Sequence, residues 1–422
     1  MNKKKLLVYA HYFYPDVAST GQILAELCHG LAKDFDITVI CVVPSYSGKI
    51  EDEYKDKRIY YEVMGDIKII RVRVCEFKKS KKLSRIKNLL GYFFNSIIAT
   101  IFLKRQDYIL TISQPPILGG LLGVIGKILK GGKLIYNIQD FNPEQTMSVH
   151  YTNNQFIINL AMCIDKISCK MANKIIVVGR DMQETLRLRF KNSKKIPNNV
   201  FINNWIDEKS IYPLDKKNHK VLEFKNKYKL NNRFVIMYSG NIGLYYDLEN
   251  LVKVLGNFKH RQDVVFAFVG DGTVKNNIEK YSKDNGLNNV VFIPYQKKED
   301  LIYSLNAADV HLVVNSKGIK GVSVPSKLYG VMAVGKPVLG VLDNGSEGRL
   351  IIEKCNCGIC IDPADYENVE WAINYILENK DKFRSLGING RMYLEENITK
   401  EKAIRKYKEN ILDDIDVRIG KI

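Results

Sequence analysis

Short apolar segments alternate with amphipathic, helix-length segments along nearly the whole chain, and they do so in two series. The first series runs from residues 6–10 to residues 200–203, and the second restarts at residues 234–239 and ends at residues 358–361. Strands separated by helices predict βαβ units, in which a parallel sheet carries helices on both faces. Because 422 residues exceed one ordinary core, the two series predict two domains. The predicted fold class is therefore α/β, with two Rossmann-like doubly wound domains facing a cleft.

The pattern places a first domain at residues 1–206 and a second at residues 207–400. Residues 207–229 are polar, rich in lysine and contain Pro213, which is typical of a linker. For residues 401–422 we expect a C-terminal helix that packs back onto the first domain. No repeat of solenoid period interrupts this division.

The formal net charge of +18 is distributed unevenly. Between residues 68 and 87 the only acidic residue is Glu76. The basic residues of this stretch are Lys68, Arg71, Arg73, Lys78, Lys79, Lys81, Lys82, Arg85 and Lys87. Such a cluster attracts phosphate, whether in nucleic acid, in anionic lipid or in a polyphosphate substrate.

The segment that follows, residues 86–103, is nearly apolar, but Lys87, Asn88, Asn95 and Ser96 interrupt it. A membrane-spanning helix is therefore not expected. A mostly apolar helix next to a lysine-rich run favours a position at a membrane surface, so residues 78–105 are predicted to face a membrane. The alternative is a core helix of the first domain that follows a solvated loop.

The start of the chain predicts no secretory signal, because three lysines (residues 3–5) run directly into a five-residue strand. Eight scattered cysteines are typical of reduced thiols in the cytoplasm. Cys355, Cys357 and Cys360 lie close together, but no fourth ligand accompanies them. We therefore predict no metal site.

The strongest candidate for a ligand site is Pro325-Ser326-Lys327, a loop that opens a short helix before the strand at residues 338–342. Unpaired backbone N–H groups and the positive end of the helix dipole favour phosphate there, and Lys327 adds a cation. The alternative is an ordinary crossover with a surface lysine.

Glycine turns follow two strands of the second series. Gly240-Asn241 ends the strand at residues 234–239, and Gly270 ends the next one. Both lie at carboxyl ends of parallel strands, where such sheets bind ligands, and glycine lets a phosphate approach the backbone. Tyr295 ends a third strand and is placed to stack on a base, or simply to cover the sheet edge.

In the first series, His11 and Tyr14 lie in the loop after the first strand, and Gly21 opens the following helix. Asp140 and Glu144 follow the strand at residues 134–139. A carboxylate here is suited to orient an acceptor hydroxyl or to stabilise developing positive charge. For Asp140 and His11 the structural alternative is a turn or core residue.

The order of these motifs resembles the retaining family 4 glycosyltransferases of the two-domain GT-B fold, closest to the branch that builds O-antigen, capsule and exopolysaccharide units. The resemblance spans nearly the whole chain. The matching motifs are His11-Tyr12-Phe13-Tyr14-Pro15, Ser113-Gln114-Pro115-Pro116, Gln139-Asp140-Phe141-Asn142-Pro143-Glu144, Ser239-Gly240-Asn241-Ile242-Gly243, Val269-Gly270-Asp271-Gly272 and the Pro-Ser-Lys stretch.

Three family features are absent. Two glutamates commonly stand eight positions apart, where this chain has Val322 and Gly330. Asn241 stands at a frequent arginine contact to the donor diphosphate, and Gln139 replaces a frequent histidine. Lys327 is then the candidate for the diphosphate cation.

The resemblance assigns the remaining roles. The second domain would hold the nucleotide through Gly240, Asn241, Gly270, Tyr295, Gly321, Ser326, Lys327 and Glu347, the last as ribose partner, and Gly21 of the first domain would also contact the donor. The catalytic candidates are Asp140, Lys327 and His11. Acceptor or membrane contacts would come from Tyr14, Glu144, Lys78, Lys79, Lys81 and Lys82.

The resemblance implies metal-independent, retaining transfer of a sugar from a nucleotide-diphosphate sugar, for which we expect a UDP-sugar. The expected acceptor is a polyprenyl-diphosphate-linked saccharide at the cytoplasmic face of an anionic membrane. Two alternatives stay open. A UDP-sugar epimerase shares the fold but would need a carboxylate cluster and a histidine in the cleft, which the sequence does not offer. A non-catalytic basic binding protein is suggested by charge alone. Because the basic run lacks interleaved aromatic residues, we expect no nucleic-acid partner.

Overall fold

The computed structural model describes residues 3–16, 18–78, 81–148 and 154–413. Two sheets dominate it. The first has eight strands in the order β3-β4-β2-β1-β5-β6-β7-β8. Their bounds are β1 Lys4–Tyr9, β2 Phe35–Val42, β3 Ile59–Met64, β4 Ile67–Val72, β5 Tyr108–Ile112, β6 Lys133–Ile138, β7 Lys174–Val177 and β8 Asn199–Phe201. All neighbours pair in parallel except β3 with β4, so the antiparallel strand β3 forms one edge.

The second sheet has six parallel strands in the order β11-β10-β9-β12-β13-β14. Their bounds are β9 Phe234–Ser239, β10 Val264–Val269, β11 Val290–Ile293, β12 Val310–Val314, β13 Val338–Val341 and β14 Gly358–Ile361. We call the parts built on the two sheets the N-terminal and the C-terminal domain. The α/β fold with two Rossmann-like domains is thereby confirmed.

Helices cover both faces of the two sheets. In the N-terminal domain they are α1 Ser19–Leu31, α2 Lys82–Ile101, α3 Leu118–Lys130, α4 Glu144–Ser148, α5 Gln155–Met171 and α6 Arg180–Arg189. Those that follow are α7 His219–Lys227, α8 Leu248–Leu255, α9 Lys275–Asp284, α10 Leu301–Asn306, α11 Lys327–Ala333, α12 Glu347–Cys355, α13 Tyr366–Glu378, α14 Lys380–Ser385, α15 Gly387–Asn397 and α16 Lys400–Leu412.

Strand β1 shows why the central strands read as unbroken apolar runs. Leu6 and Val8 pack into a core beneath α1 and α16, whereas Leu7 and Tyr9 pack into a second core beneath α2 and α3. A parallel strand that is buried on both faces needs apolar side chains at every position. The pattern therefore locates the strand without showing which face each side chain takes.

The predicted linker at residues 207–229 differs from the structure in its second half. Residues His219–Lys227 form α7, in which Val221 and Phe224 are buried in a core of the C-terminal domain. The lysines of this helix face outwards, so a solvated helix face had produced the linker-like composition.

The chain returns to the N-terminal domain at its end. Tyr407 of α16 lies in the core with α1 and accepts a hydrogen bond from Asn137. The ammonium of Lys408 lies 2.7 Å from the Asp34 carboxylate. The rest of the predicted C-terminal helix, residues 414–422, lies outside the described residues.

Candidate active site

One segment of the C-terminal domain is inserted into the N-terminal domain just before the Pro-Ser-Lys stretch. Val322 and Val324 pack into a core with Phe141 and Met182. The Phe141 N–H donates to the Val322 carbonyl at 2.9 Å, next to an isolated antiparallel bridge between Asp140 and Ser323. These contacts bring the end of β6 against the loop that leads into α11.

Lys327 lies between two tyrosine rings at the start of α11. Its ammonium nitrogen is 3.6 Å from the centroid of the Tyr246 ring and 4.2 Å from that of Tyr238. It also donates a hydrogen bond of 2.7 Å to the Tyr238 hydroxyl, which in turn donates to the Asn241 carbonyl at 2.5 Å. An ammonium over aromatic faces gains cation–π stabilisation.

No carboxylate pairs with Lys327 among the described residues, and burial lowers its pKa well below the usual range of a lysine. Desolvation disfavours the charged form of the lysine. An anion bound beside the ammonium would offset this desolvation cost by favouring the charged form. The site therefore has the properties of a receptor for phosphate.

The two glycine turns lie directly beside Lys327. Gly240 has a φ of +143°, and a Cβ on it would meet the Lys327 Cε at 3.4 Å. Gly270 has a φ of +144°, and a Cβ there would lie 2.0 Å from the Gly240 carbonyl oxygen. Both positions favour glycine because other residues rarely adopt this backbone conformation, and at Gly270 there is also no room for a side chain. The carboxyl ends of β9 and β10 thus meet at the lysine.

Ser326 is exposed immediately before Lys327, and Asn241 is exposed beside Gly240. The Asn241 side chain hydrogen bonds to Tyr246. Helix α11 has only seven residues, so its dipole adds less at this position than the lysine does. Lys327, rather than the helix terminus, is the dominant feature.

Asp140 reaches the same region from the N-terminal domain. It is half-buried, receives side-chain hydrogen bonds from Ser323 and Gln145, and its charge raises the pKa of Tyr246. Burial raises the pKa of Asp140 itself above the usual range, against the opposing effect of the two hydrogen bonds. Tyr246 is thus in contact with Lys327 and close enough to Asp140 for the two charges to interact.

Glu347 forms a contact between domains that the sequence did not predict. Arg180, the first residue of α6, donates from Nε to Oε2 at 2.9 Å and from Nη2 to Oε1 at 3.2 Å. The backbone N–H of Arg180 and the Asn203 side chain also donate to this carboxylate, which is 1 % exposed. A ribose hydroxyl at Glu347 would have to share or replace these donors.

Gly321 lies in the same contact between domains. Its N–H donates to the Asp181 carboxylate at 2.8 Å, and a Cβ on it would meet the Thr185 hydroxyl at 2.4 Å. The φ of Gly321 is +70°. This glycine allows the close approach of α6, so its position indicates domain packing.

Tyr295 is 56 % exposed at the end of β11. Burial raises the pKa of Tyr46 in the N-terminal domain, and the nearby Tyr295 and Asp271 raise it further. The two tyrosines, one from each domain, are therefore close enough for their charges to interact.

His11 contacts α2. Its ring lies 5.0 Å from the Tyr92 ring and hydrogen bonds to Asn88, while Nε2 has no partner among the described residues. Burial lowers the pKa of His11 to about 3, so its imidazole is neutral near pH 7. These contacts favour a structural role at the junction between the first loop and α2.

Gly21 and Tyr14 belong to the same loop region. A Cβ on Gly21 would lie 2.8 Å from the Tyr12 carbonyl oxygen, so this glycine lets α1 pack against the loop. Tyr14 is 59 % exposed and its carbonyl accepts a hydrogen bond from Arg71. The Tyr14 ring is available to an incoming molecule.

Glu144 is engaged within the N-terminal domain. Arg189 donates to both of its oxygens and also pairs with Asp165, which accepts from the Tyr136 hydroxyl. This internal ion-pair network occupies the carboxylate predicted to contact an acceptor.

The basic cluster is divided by the fold. Arg71 is buried against Glu62, and Lys68 pairs with Asp36, because both basic residues lie on β4. Lys78 and Lys81 are exposed just before α2. Lys79 and the side chain of Lys82 lie outside the described residues.

Sequence reasoning missed Arg180, Tyr246 and Tyr46. Each interacts with a residue that is more than 100 positions away or in the other domain, and none belongs to a local sequence motif. Tyr238 stands in the strand before Gly240, but nothing in that strand indicates that its hydroxyl meets Lys327. Within the part of the chain that the structure describes, no three His, Cys, Asp or Glu side chains are grouped to hold a metal ion.

Comparison with known proteins agrees with this geometry. Residues 220–393, which contain Gly240, Gly270 and Lys327, match the family described as glycosyl transferases group 1. The chain is 26% identical over 331 residues to the probable glycosyltransferase WbjE of Pseudomonas aeruginosa, covering 78% of this chain and 80% of that protein. It is 24% identical over 416 residues to the putative colanic acid biosynthesis glycosyl transferase WcaI of Escherichia coli, covering 96% and 99%.

Solved structures share the fold. Sucrose-phosphate synthase from Thermosynechococcus elongatus superposes with a TM-score of 0.75 at 15% identity, over 97% of this chain and 98% of that one. HepE from Anabaena, solved in complex with UDP and glucose, superposes with a TM-score of 0.69 at 13% identity, over 97% and 99%. The structural neighbours are GT-B glycosyltransferases.

Proposed function

We propose that this protein is a retaining glycosyltransferase of family 4 that moves a sugar from a UDP-sugar to a lipid-linked saccharide during surface polysaccharide biosynthesis. The observation that carries the proposal is the position of Lys327. This unpaired, desolvated cation lies beside Gly240 at the carboxyl ends of β9 and β10. Asp140 of the opposite domain is close enough to Tyr246 for its charge to act on the Tyr246 hydroxyl.

The C-terminal domain would hold the donor. Its diphosphate would contact Lys327 and the backbone at Gly240 and Gly270, where the absence of side chains permits close approach. Tyr295 would stack on the base, and Glu347 would receive the ribose hydroxyls. The HepE complex with UDP and glucose supports UDP as the nucleotide.

The reaction exchanges one bond at the anomeric carbon. The bond from that carbon to the β-phosphate oxygen breaks, a bond to the acceptor hydroxyl oxygen forms, and the hydroxyl proton passes to the departing phosphate. Attack on the face that the leaving group vacates retains the configuration and needs no strong general base. Lys327 stabilises the negative charge that develops on the diphosphate, the main electrostatic contribution in such a transfer. It thereby supplies a cation without a metal ion, and we expect none to be required.

Asp140 would orient the acceptor hydroxyl and stabilise positive charge on the sugar ring. Its raised pKa follows from burial, so it is more basic than an exposed aspartate. The carboxylate is bound to Ser323 and Gln145, which fixes its direction. Ser326 and Asn241, both exposed beside Lys327 and Gly240, would also contact the donor.

A polyprenyl-diphosphate-linked saccharide is the proposed acceptor, presented at the cytoplasmic face of the membrane. Lys78 and Lys81 are exposed before α2, and Tyr14 is exposed at the end of the first loop. The similarity to WcaI, named for colanic acid biosynthesis, supports a role in O-antigen, capsule or exopolysaccharide synthesis. No helix in the described residues is long and apolar enough to span a bilayer.

The first test is thermal unfolding of the protein with UDP, GDP, ADP, CMP and their common sugar conjugates. A nucleotide at a hundred times its Kd adds about 2.7 kcal/mol to the stability of the domain it binds. We expect UDP and a subset of UDP-sugars to raise Tm. The Lys327→Met variant should lose this response, whereas Lys253→Met, at an exposed lysine of α8, should keep it.

The stabilising UDP-sugar is then incubated with and without a polyprenyl-diphosphate saccharide. Formation of UDP and a glycosylated lipid only when the acceptor is present supports transfer. Conversion of the UDP-sugar to its epimer without acceptor would replace the proposal with the epimerase alternative. A Tm that no nucleotide changes would overturn the donor site at Lys327.

A further inference from the structure

Three helices on one face of the first sheet form a continuous layer, in which α3 lies between α2 and α5. Gly120 of α3 packs on Ser168 of α5, and the ammonium of Lys130 donates to the Ile101 carbonyl of α2 at 2.7 Å. Glycines allow α3 to pack closely on the sheet. A Cβ at Gly123 would lie 2.4 Å from the Thr111 side chain, and a Cβ at Gly126 would lie 2.6 Å from the Tyr9 hydroxyl. Helices α2 and α5 therefore flank a recessed α3.

The outer surface of this layer is apolar. Large hydrophobic side chains are exposed on all three helices and at the end of α2. They are Leu83, Ile86, Leu90, Phe94, Ile101 and Phe102 from α2 and its end, Ile128 and Leu129 from α3, and Phe156, Ile157, Leu160, Ile167 and Met171 from α5. Exposed apolar patches of this extent mark sites of interaction with a protein or a membrane.

The same layer has almost no negative charge. The only acidic residue in α2, α3 and α5 is Asp165, which is 2 % exposed and paired with Arg189. Exposed basic residues at its borders are Lys78, Lys81, Arg85, Lys87, Lys104, Arg105 and Lys170. On the opposite face of the same sheet, α1 and α16 carry Glu26, Glu401 and Glu409. Helix α16 is itself basic, with five lysine or arginine residues, so what distinguishes the layer is its lack of exposed acidic side chains beside a large apolar surface.

We propose that the α2–α3–α5 layer lies on an anionic lipid bilayer, with α5 as a second inserting helix beside α2. Apolar side chains surrounded by basic residues match the interface, where the acyl boundary takes the former and the anionic headgroups the latter. A protein partner would need an apolar surface with acidic borders, whereas an anionic bilayer has both properties over any area. This inference deepens the membrane part of the proposed function and rests on it.

The layer leads directly to the cleft. In the first half of α2, Asn88 hydrogen bonds to His11, and the charge of Arg85 acts on the Tyr12 hydroxyl. Tyr12 makes an edge-to-face contact with Tyr46, which is close enough to Tyr295 of the C-terminal domain for their charges to interact. A diphosphate in the headgroup region near Arg85 thus lies beside the first loop, so the protein would receive its acceptor from the bilayer without extracting the lipid chain.

Vesicle flotation tests the proposal with vesicles of phosphatidylcholine alone and vesicles containing about one third phosphatidylglycerol. The full-length protein should float only with the anionic vesicles at low salt. The α5 variant Phe156→Ser/Ile157→Ser/Leu160→Ser should lower the bound fraction at least tenfold, because three exposed side chains no longer insert. A matched control, Leu222→Ser/Ile388→Ser/Met392→Ser, changes exposed apolar residues of the C-terminal domain and should float as the parent does.

Charge is tested separately with Arg85→Glu/Lys87→Glu against Lys253→Glu/Lys259→Glu. The first pair should weaken flotation about 25-fold, since each basic residue near an anionic surface contributes about fivefold, and the second pair should not. Unchanged flotation of the α5 variant would overturn the role of α5, and equal loss in both apolar variants would overturn the layer. UDP binding by the α5 variant is measured alongside. Its persistence when flotation is lost shows that the membrane face is separate from the donor site.

Discussion

The ammonium of Lys327 lies 3.6 Å from the centroid of the Tyr246 ring, and the same tyrosine is close enough to Asp140 for the carboxylate to raise its pKa. Tyr246 is therefore near both the proposed diphosphate cation of one domain and the proposed acceptor-orienting carboxylate of the other. Burial and Asp140 together raise the pKa of Tyr246 to about 12, so the ring carries a neutral hydroxyl. A neutral ring can stabilise the lysine without competing with the anionic donor for it.

Replacement of Tyr246 by leucine should weaken UDP binding about tenfold. Loss of a partly desolvated cation–π contact corresponds to about 1–2 kcal/mol, and the leucine leaves the lysine side chain free to leave its position. Isothermal titration with UDP measures the effect. Tyr281→Leu, at a partly buried tyrosine of α9, is the matched control and should bind UDP as the parent does. Equal Kd values for Tyr246→Leu and the parent would show that the ring does not position Lys327.

Replacement of Asp140 by asparagine should lower kcat by about two orders of magnitude and leave the Kd for UDP nearly unchanged. Its carboxylate is needed in the charged form. Because burial raises its pKa, the acid limb of the rate profile should lie at higher pH than for an exposed aspartate, with activity rising as pH rises through that pKa.

The profile of Asp140→Asn should lack that limb. Asp36→Asn, in a surface ion pair with Lys68, is the control and should retain both the rate and the limb. A Kd for UDP that rises as much as kcat falls would instead place Asp140 on the donor.

Most of the fold follows from the pattern of apolar segments. The parallel strands lie within two residues of the predicted segments because central strands such as β1 are apolar on both faces. Strand β3 was missed because it is an antiparallel edge strand. Its Tyr61 and Val63 are both 73 % exposed, so no continuous apolar run marks it.

The candidate site was only partly predictable for a different reason. Gly240, Gly270 and Lys327 belong to local motifs, whose chemistry can be read from neighbouring residues. The contact of Glu347 with Arg180 joins residues 167 positions apart, and its geometry depends on how the two domains pack. The residues that neighbour Glu347 in sequence do not indicate this pairing. The sequence therefore predicts a ribose contact for Glu347 but not its ion pair with Arg180.

The Arg180–Glu347 pair should stabilise the contact between domains, and a double-mutant cycle can isolate its contribution. Glu347 is 1 % exposed, so Arg180→Met leaves a buried carboxylate with fewer donors and should cost about 2 kcal/mol. The double variant Arg180→Met/Glu347→Gln should cost less than the sum of the single changes, with a coupling of about 1 kcal/mol. Urea unfolding measures all three variants.

The matched control cycle uses Arg405 and Glu409, a pair at i,i+4 on the surface of α16, for which a coupling of about 0.5 kcal/mol or less is expected. Purely additive effects at Arg180 and Glu347 would show that the contact contributes no stability. If Glu347 also receives the ribose, Glu347→Gln should weaken UDP binding while Arg180→Met does not.

His11 should make stability depend on pH without taking part in proton transfer. Its pKa is lowered to about 3 by burial, so the folded protein excludes a proton that the unfolded chain accepts below its ordinary pKa of about 6.5. The stabilisation is therefore complete above about pH 6.5 and is lost progressively as pH falls towards 3, by roughly 2 kcal/mol at pH 5. His11→Gln, which can still bond Asn88, should remove about half of the slope of the urea-unfolding profile between pH 7 and 5, because buried His311, with its pKa lowered to about 4, contributes a similar share. His29→Gln, on the exposed side of α1, is the control and should leave the profile unchanged.

If the free energy of unfolding has the same pH dependence in His11→Gln as in the parent, the titrating group lies elsewhere. A loss of kcat at pH 7.5 with unchanged stability would instead show that His11 takes part in the reaction.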